Sequence, residues 1–351
     1  MEVTRMNNIL NFAVVGVGGI GQGHVSAVLN APNASLAAVC DPKGEEIWEY
    51  RRKWFPKEII PDVPIYTDFN EMLQNEKLDA IIISTPDITH CPMAVQAFQK
   101  GLHVLCEKPL TMTNEESLQM LRAAKENNCR LFVGQICRFS PAFQKAKELL
   151  DSGAIGDVFC VESQYVHGCH EGLPEDNWRK VNPRHATSCG GCHAIDIVRY
   201  LIGDPEEVFA YGNRLCRTDW KVEDCSETVM KFPNGAIGRV MTSLGNIYKY
   251  SMKTVIFGTK GTIEANNVDD VVTIYTRNEE KEVQITEHPV NVNSHNALEE
   301  VQDMCEAILF GKEVCHQGIE GVKTVFVCNA AIKSIATGLP EKLDYRPAEE
   351  I

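Results

Sequence analysis

The sequence is poor in positive charge. Its 34 lysines and arginines stand against 48 aspartates and glutamates, which gives a formal net charge of -14 at pH 7. A nucleic-acid partner requires a basic face that neutralises phosphates, so this balance argues against one. The chain also lacks an apolar run of membrane-spanning length, and its first residues show no basic segment followed by an apolar one. We expect a cytoplasmic protein that binds neither nucleic acid nor membrane.

Regular cysteine spacing is absent as well. The 14 cysteines are scattered, and without a secretion signal they indicate reduced thiols rather than a disulfide framework. Cys189 and Cys192 form a C-x-x-C pair, which can ligate a metal or cycle between thiol and disulfide. Because no second pair stands at zinc-finger spacing, we predict no metal site.

A chain of 351 residues exceeds one ordinary core, so we predict two domains. From residue 12 to residue 135, short apolar strands alternate with helices. This alternation indicates βαβ units and a doubly wound parallel sheet, which is the Rossmann arrangement. We place this first domain at residues 1–137.

The first predicted strand spans residues 12–15, and a glycine-rich turn follows it at residues 16–21. It reads G-V-G-G-I-G and leads into a helix that we place from about Gly23. Between a strand and a helix, such glycines permit a tight turn, the approach of the backbone to a pyrophosphate, and close packing of the helix. The residues expected to contact the dinucleotide here are Gly16, Gly18, Gly19, Ile20 and Gly21.

The second predicted strand spans residues 36–40, and Asp41 follows it directly. It stands at the distance expected of the acidic residue that binds an adenosine ribose. A carboxylate accepts hydrogen bonds from both ribose hydroxyls and repels a 2′-phosphate. The sequence therefore favours NAD over NADP.

The apolar strand at residues 78–84 ends in Thr85 and Pro86, and His90 opens the helix that follows. Ligands of open α/β sheets bind at the carboxyl edge of the strands, where this turn is expected to lie. We therefore count Thr85, Pro86 and His90 among the candidate cofactor contacts.

Lys108 is the first candidate base. It follows the strand at residues 103–107, with Glu107 before it and Pro109 after it. Oxidation of an alcohol needs a group that accepts the hydroxyl proton while a cofactor accepts the hydride, and a lysine amine at this strand end suits that role. Glu107 either orients Lys108 or caps the strand. Pro109 restricts the backbone, and a cis Lys108–Pro109 bond is one form that it permits.

Residues 138–351 differ in character, because strands dominate after one helix. A hairpin is predicted at Pro233-Asn234-Gly235. We expect an α+β domain with a large, mostly antiparallel open sheet and its helices on one face. The uncovered face then needs a partner, so we predict a homodimer or homotetramer formed through it. The main helices are predicted at residues 190–202, 296–310 and 318–337.

His193 is the second candidate for proton transfer. It shares a helix face with Asp196, and an imidazole with a carboxylate one turn along can shuttle protons or hydrogen-bond a hydroxyl. Gly190 and Gly191, immediately before, suggest a close approach of the backbone to a ligand. A histidine satisfied within the core is the alternative.

The segment from Gly168 to Ser188 is predicted as a loop beside the site. Its aromatic, cationic and imidazole side chains suit stacking on sugar rings and hydrogen bonding to hydroxyls, and ordinary packing is the alternative. The side chains in and next to this loop are Tyr165, His167, His170, Trp178, Arg179, Arg184 and His185.

Taken together, these residues resemble the Gfo/Idh/MocA family of oxidoreductases, which includes glucose–fructose oxidoreductase and inositol dehydrogenase. The match runs through nearly the whole chain. The matching residues are Gly16 to Gly21, Asp41, Thr85-Pro86 with His90, Gly101-x-His103-Val104 into Glu107-Lys108-Pro109, Arg138-Phe139, Gly153-x-Ile155-Gly156, Gly190-Gly191 and His193-Ala194-Ile195-Asp196.

The resemblance implies oxidation or reduction of polyols, pyranoses and related compounds with NAD or NADP. It implies that Lys108 contacts the reacting hydroxyl and that His193 is its acid/base partner. It also adds Glu107, Lys108 and Arg138 to the expected cofactor contacts. Many members carry an aspartate four residues before the histidine, where this chain has Cys189, and either His185 or Asp196 is a candidate to replace it. The expected substrate contacts are Lys108, Tyr165, Trp178, Arg179, His185, Cys189, His193 and Asp196.

The leading hypothesis is an NAD-dependent oxidoreductase that acts on a ring hydroxyl of a sugar, a glycoside or an inositol, with the 3-hydroxyl of a pyranose as one option. One alternative is a dehydrogenase or reductase for a non-sugar substrate, such as a dihydrodiol or an imine. The other is a non-catalytic sensor of NAD or a sugar, because a fold alone does not establish catalysis. The presence of both Lys108 and His193 argues against a sensor, which needs no base.

Overall fold

The computed structural model describes residues 8–53, 62–168, 172–174, 177–181, 184–292 and 296–351. Contacts within the chain divide it into two compact units. The first comprises Met1–Ile136, Asn296–Val322 and Ala348–Ile351, and the second comprises Cys137–His295 and Lys323–Pro347. The first long segment ends next to the boundary predicted at residue 137. Residues 296–322 and 348–351, however, pack with the first unit, whereas the sequence assigns them to the second domain.

The first unit contains a six-stranded parallel sheet with helices between its strands. The strands are β1 Leu10–Val15, β2 Ala34–Cys40, β3 Ile65–Tyr66, β4 Ala80–Ile83, β5 His103–Cys106 and β6 Leu131–Val133. The helices are α1 Gly19–Asn30, α2 Glu45–Arg52, α3 Phe69–Asn75, α4 His90–Gln99 and α5 Asn114–Glu126. All four side chains of β4 are buried, as a strand in a parallel sheet covered by helices requires.

The strand order of this sheet determines where it binds ligands. The order is β3-β2-β1-β4-β5-β6, and each neighbouring pair is parallel. The direction in which strands are added reverses between β1 and β4. Open α/β sheets bind ligands at the carboxyl ends of the strands at such a point. The predicted Rossmann sheet is confirmed, and the turns after β1, β4 and β5 share its ligand-binding edge.

The second unit is built on a nine-stranded sheet. Its strands are β7 Val158–Val166, β8 Glu207–Asn213, β9 Cys225–Lys231, β10 Ile237–Ser243, β11 Thr254–Gly258, β12 Gly261–Ala265, β13 Val271–Arg277, β14 Val283–Pro289 and β15 Glu341–Lys342. The remaining helices are α6 Pro141–Asp151, α7 Trp178–Val181, α8 Ala186–Cys189, α9 Gly191–Ile202, α10 Ala297–Phe310, α11 Gly318–Thr337 and α12 Arg346–Glu349. The segment predicted as a loop therefore contains α7 and the beginning of α8. None of the described helices is long and apolar enough to cross a membrane.

The second sheet is mostly antiparallel, as predicted. Its order is β14-β13-β12-β11-β7-β10-β9-β8-β15, and β7 and β10 form a parallel pair within it. The predicted hairpin joins the antiparallel strands β9 and β10. Buried and exposed side chains alternate along both strands, so one face is covered and the other is open. Helix α9 packs against β7 and β10 on the covered face.

The open face of the second sheet combines apolar and charged side chains. Val229 and Ile237, on neighbouring strands, are 44% and 52% exposed. Arg239 lies 3.3 Å from a carboxylate oxygen of Glu162 on one side and 3.3 Å from one of Glu227 on the other. The uncovered face predicted from the sequence is thus present.

Helix α10 belongs to the first unit, and the prediction that it covers the second sheet is wrong. It packs against α1, and its Val301 and Met304 share a buried apolar cluster with Val25 and Val28 of that helix. A periodic apolar face shows that a helix is buried, but not against which surface. The sequence alone could not make that choice.

One helix start differs from the prediction. Helix α1 begins at Gly19 rather than near Gly23, so the last glycines of the turn belong to its first turn. Helix α5 has Thr113 as its N-cap. The Thr113 hydroxyl accepts from the Glu116 amide at 3.2 Å, and the Glu116 carboxylate accepts from the Thr113 amide at 3.2 Å, which is a capping box.

Candidate active site

The turn after β1 has the form that a dinucleotide requires. Gly16 has a φ of +83°, and a Cβ there would lie 2.7 Å from the carbonyl oxygen of Ser84, so only glycine fits. By contrast, a Cβ at Gly18 or Gly19 would meet no described atom within 4 Å. The space beside the Cα atoms of these two glycines is therefore open at the start of α1, where a pyrophosphate is expected. Ile20, beside them, is 52% exposed.

Asp41 follows β2, and two backbone amides hold its carboxylate. Oδ2 accepts from the Val17 amide at 2.9 Å, and Oδ1 accepts from the Lys43 amide at 3.0 Å. Because Val17 belongs to the glycine turn, Asp41 lies beside that turn, and its contact with a ribose stays a prediction. A glycine turn and a carboxylate at the end of β2 together fit a dinucleotide.

His90 joins the turn after β4 to the turn after β5. Its ring is fully buried, with Nε2 3.0 Å from the carbonyl oxygen of Thr85 and Nδ1 3.1 Å from that of Pro109. The prediction that His90 contacts the cofactor does not fit this burial, because both ring nitrogens face the main chain. His90 instead positions two strand ends. Thr85 and Pro86 are half-buried and stay predicted cofactor contacts.

Lys108 directly follows β5, and its neighbour Glu107 is held from two sides. Glu107 Oε1 lies 2.8 Å from His24 Nε2, and Oε2 accepts from the Lys108 amide at 3.0 Å. Burial opposes ionisation of Glu107, but the hydrogen bond from His24 and the charges of His24 and Lys108 outweigh it and lower the pKa of the carboxyl. Glu107 thus holds the Lys108 backbone, and its own contact with a cofactor stays a prediction. The Lys108–Pro109 bond is cis.

Sequence reasoning missed two titratable residues of the first unit near Glu107. His24 on α1 is 2% exposed, and Glu300 on α10 is fully buried. Burial raises the pKa of the Glu300 carboxyl well above its usual range, and the nearby Glu107 carboxylate raises it further. A signal was available, because Glu300 stands four residues before Met304 and so occupies a position on the apolar face of α10.

The second unit carries His193 near the start of α9. A Cβ at Gly190 would lie 2.2 Å from the Tyr165 ring, and one at Gly191 would lie 2.4 Å from the Thr242 hydroxyl. The two glycines therefore let the helix approach the sheet, whereas the sequence suggested an approach to a ligand. His193 stacks on Tyr165, with ring centroids 5.8 Å apart and an angle of 17° between the planes.

Four rings of the second unit form a cluster, which we call the ring cluster: His193, Tyr165, His167 and Tyr250. The Tyr165 hydroxyl lies 3.1 Å from His167 Nδ1, and the Tyr250 ring lies 4.6 Å from the His167 ring between centroids. His193 and Tyr165 are buried, whereas His167 and Tyr250 are half-buried. Sequence reasoning missed Tyr250, because only the pairing of residue 166 with residue 251 brings it to β7.

Asp196 is bonded to Arg138 inside the second unit. Arg138 donates from Nε and Nη2 to its two carboxylate oxygens at 2.8 Å and 2.7 Å, and the Thr324 hydroxyl donates at 2.9 Å. Arg138 and Asp196 are 3% and 2% exposed. This burial contradicts the predicted roles of Arg138 as a cofactor contact and of Asp196 as a substrate contact or replacement aspartate.

The remaining predicted substrate residues lie elsewhere in the second unit. His185 Nδ1 lies 2.6 Å from Glu223 Oε2, so that histidine already has a carboxylate partner. The Trp178 ring contacts the guanidinium groups of Arg179 and Arg184, at 4.2 Å and 4.9 Å from its centroid. The roles of these residues in substrate binding stay predictions.

Cys189 and Cys192 are buried and form no disulfide, and Cys192 Sγ lies 3.8 Å from the Cys189 carbonyl oxygen. Substrate binding by Cys189 stays a prediction. In the described part of the chain, no three His, Cys, Asp or Glu side chains come together so as to hold a metal ion. His170 lies outside the described residues.

A glycine turn after β1 and a lysine after β5, at the same edge of one parallel sheet, are features expected of a nicotinamide-dependent oxidoreductase. Comparison with known families gives the same class. A model described as an oxidoreductase family with an NAD-binding Rossmann fold matches residues 10–135, and the Gfo/Idh/MocA C-terminal domain matches residues 143–264. The chain therefore belongs to the Gfo/Idh/MocA family and is an NAD-binding oxidoreductase. The resemblance found in its motifs is confirmed.

Individual relatives match along nearly the whole chain. The scyllo-inositol 2-dehydrogenase (NAD(+)) of Bacillus subtilis is 29% identical over 351 residues, which covers 98% of this chain and 99% of the relative. The myo-inositol 2-dehydrogenase of Thermotoga maritima is 25% identical over 346 residues, covering 95% and 99%. A solved levoglucosan dehydrogenase, in complex with NADH and L-sorbose, has the same fold, with a TM-score of 0.86, 22% identity and coverage of 96% and 99%.

Replacing Arg138 with alanine should lower the free energy of unfolding by about 3 kcal/mol, because the buried Asp196 carboxylate loses both hydrogen bonds from Arg138 and keeps the Thr324 hydroxyl and the more distant Arg199 guanidinium, at 3.7 Å. Unfolding in urea measures this loss. Lys333→Ala is the control: Lys333 pairs with Glu341 at 2.7 Å but is 65% exposed, so its loss should stay below about 1 kcal/mol. Losses of equal size in the two variants would contradict a structural role for the Arg138–Asp196 pair.

Proposed function

We propose that the protein exchanges a hydride between NAD and a ring hydroxyl of a sugar, a glycoside or an inositol. The 3-hydroxyl of a pyranose is the first position to test. The observation that carries this proposal is Lys108 at the end of β5, on the ligand-binding edge of the parallel sheet, with its backbone held by Glu107. An amine at that edge is a proton acceptor of the kind that alcohol oxidation needs.

In the proposed oxidation, Lys108 accepts the hydroxyl proton as the O–H and C–H bonds of the alcohol carbon break and its carbonyl forms. When bound to the glycine turn, NAD supplies the hydride acceptor. His193 of the second unit is the second proton-transfer group, hydrogen-bonding the substrate and exchanging a proton with it. In the reverse direction, Lys108 returns the proton to the carbonyl oxygen.

The ring cluster supports a carbohydrate or polyol as the substrate. Sugar rings present C–H faces that stack on aromatic rings, and hydroxyls that hydrogen-bond to imidazoles. Tyr165 and Tyr250 offer aromatic rings for stacking, and His167 and His193 offer imidazoles for hydrogen bonding. Two relatives that match nearly the whole chain are named as inositol dehydrogenases, which supports the same substrate class.

Lys108→Ala should lower kcat roughly 10²- to 10⁴-fold, because the reaction loses its proton acceptor. The measurement is the steady-state rate of nicotinamide reduction with the best sugar or inositol substrate. Lys100→Ala is the matched control, since Lys100 is exposed at the end of α4. A Lys108→Ala variant that turns over like the wild type would refute the mechanism.

We also propose NAD rather than NADP as the cofactor, because Asp41 would repel a 2′-phosphate. Asp41→Ser should weaken NAD binding roughly tenfold, since a charged acceptor of ribose hydrogen bonds is lost, and should improve the relative affinity for NADP. Titration of both nucleotides by calorimetry measures the change, with exposed Asp62→Ser as the control. An unchanged ratio of the two affinities would contradict the assignment.

The open face of the second sheet is proposed to join copies of this chain as a homodimer or homotetramer. Its exposed apolar residues, such as Val229 and Ile237, lie beside the charged Arg239, and this mixture of apolar and charged side chains suits a contact between two copies of the chain. Ile237→Arg should therefore reduce the mass measured by sedimentation velocity. Ile88→Arg, at a position of 50% exposure in the first unit, should not. A monomeric wild type would reject the proposal.

A further inference from the structure

His185 and Glu223 form a hydrogen-bonded pair in the second unit that the proposed reaction does not use. His185 Nδ1 lies 2.6 Å from Glu223 Oε2, and the two side chains are 29% and 7% exposed. The main chain joins the same two segments, because the Ala186 amide donates to the Glu223 carbonyl oxygen at 3.3 Å. A buried carboxylate therefore holds a partly exposed imidazole in one orientation.

The pair also favours one protonation state of the His185 ring. The other oxygen of Glu223, Oε1, is buried and receives no hydrogen bond from any described residue, so the carboxylate depends on His185 for a donor. A proton on Nδ1 supplies this donor, whereas a proton on Nε2 would leave two acceptors 2.6 Å apart in a buried place. The neutral ring with the proton on Nδ1 is favoured, and its Nε2 carries a lone pair.

Helix α8, which His185 directly precedes, begins on the same face of the second sheet as the ring cluster. The Thr187 hydroxyl donates to the Ser226 hydroxyl of β9 at 2.9 Å. Ser226 pairs with Thr242 of β10, and Thr242 pairs with Tyr165 of β7, which belongs to the ring cluster. His185 thus stands about two strands from the ring cluster, which is roughly 10 Å and more than the width of one sugar ring.

We propose that Glu223 is a positioning residue, which holds His185 as the acceptor for a hydroxyl of a glycoside beyond its reacting ring. The proposed function places the reacting ring at the ring cluster. Nε2 of His185 makes no hydrogen bond with any described residue, and a hydroxyl of a second sugar ring is a donor that suits its lone pair. The inference rests on the proposed function and deepens it, because it selects glycosides among the substrate classes named there.

The tautomer of His185 tests the first part of this proposal without a substrate. The full chain is labelled with nitrogen-15 in its histidines, and NMR shows which ring nitrogens carry a proton at about pH 9, above the range in which an ordinary histidine titrates. His185→Ala identifies the signals. The wild type should carry a proton on Nδ1 alone, and Glu223→Ala should lose this preference.

A wild-type ring protonated on Nε2, or on both nitrogens, would overturn the proposal, because neither form offers Nε2 as an acceptor. A Glu223→Ala variant that keeps the wild-type tautomer would show that Glu223 does not direct the ring. The wild-type measurement does not require Glu223→Ala to fold, so it is decisive in either case.

Specificity tests the second part, with cellobiose and methyl β-glucoside as the probes. The two compounds share a glucose ring, but only cellobiose has a second one. In Glu223→Ala, the ratio of kcat/KM for cellobiose to kcat/KM for methyl β-glucoside should fall roughly tenfold, the effect of one hydrogen bond. Glu287→Ala, at an exposed position of β14, is the matched control and should keep the wild-type ratio.

An equal fall on both probes would show that Glu223 only supports the fold. Turnover of inositols with neither glucoside accepted would overturn the choice of substrate class. Either result would reject the proposal.

A double variant tests whether Glu223 acts through His185. If it does, Glu223→Ala introduced into His185→Ala should cause no further fall in the ratio of the two kcat/KM values. A second tenfold fall would show that Glu223 acts on the substrate by another route and would overturn its positioning role.

The proposed function and this inference can fail separately. An active enzyme whose ratio does not respond to Glu223 would reject the inference alone. Absence of turnover on every sugar and inositol would reject the proposed function, whereas the tautomer would still show whether Glu223 directs the His185 ring.

Discussion

Parallel strands bring their carboxyl ends to one edge of a sheet, and the chemistry of the first unit depends on that constraint. The glycine turn, Thr85 and Lys108 are far apart along the chain, yet they follow β1, β4 and β5, which stand side by side. His90 ties the last two strand ends together through main-chain carbonyl groups. These contacts with main-chain carbonyl groups fix the ends of the strands at this edge. The candidate base Lys108 is therefore held in a defined place, as proton transfer requires.

In the second unit, the packing of α9 on the sheet positions the candidate residue His193. Gly190 and Gly191 let α9 approach β7 and β10, which brings His193 onto the Tyr165 ring. The buried pair of Arg138 and Asp196 supports the same helix from within. The two-residue period that buries one sheet face also exposes the other, so the ring cluster and the proposed oligomer surface have a common origin.

Patterns local in sequence were sufficient for much of this structure. The period of the apolar residues and the glycine turn predicted the Rossmann sheet and the mostly antiparallel sheet. Contacts distant in sequence were not predictable in this way. Nothing near Asp196 indicated its pairing with Arg138, the apolar face of α10 did not reveal that α1 is its partner, and Tyr250 reaches β7 only through sheet pairing. A polar residue on an apolar helix face, as at Glu300, was the one long-range signal that a closer look at the sequence could have used.

The central claim is that this chain moves a hydride between NAD and a ring hydroxyl. The most direct measurement is nicotinamide reduction by the purified protein across inositols, free pyranoses, and alkyl or aryl glycosides, with NAD and NADP in parallel. The account predicts turnover on one of these classes, with NAD preferred. Absence of turnover on all of them would contradict it, provided that any nicotinamide retained by the protein is first shown to be in the oxidised form.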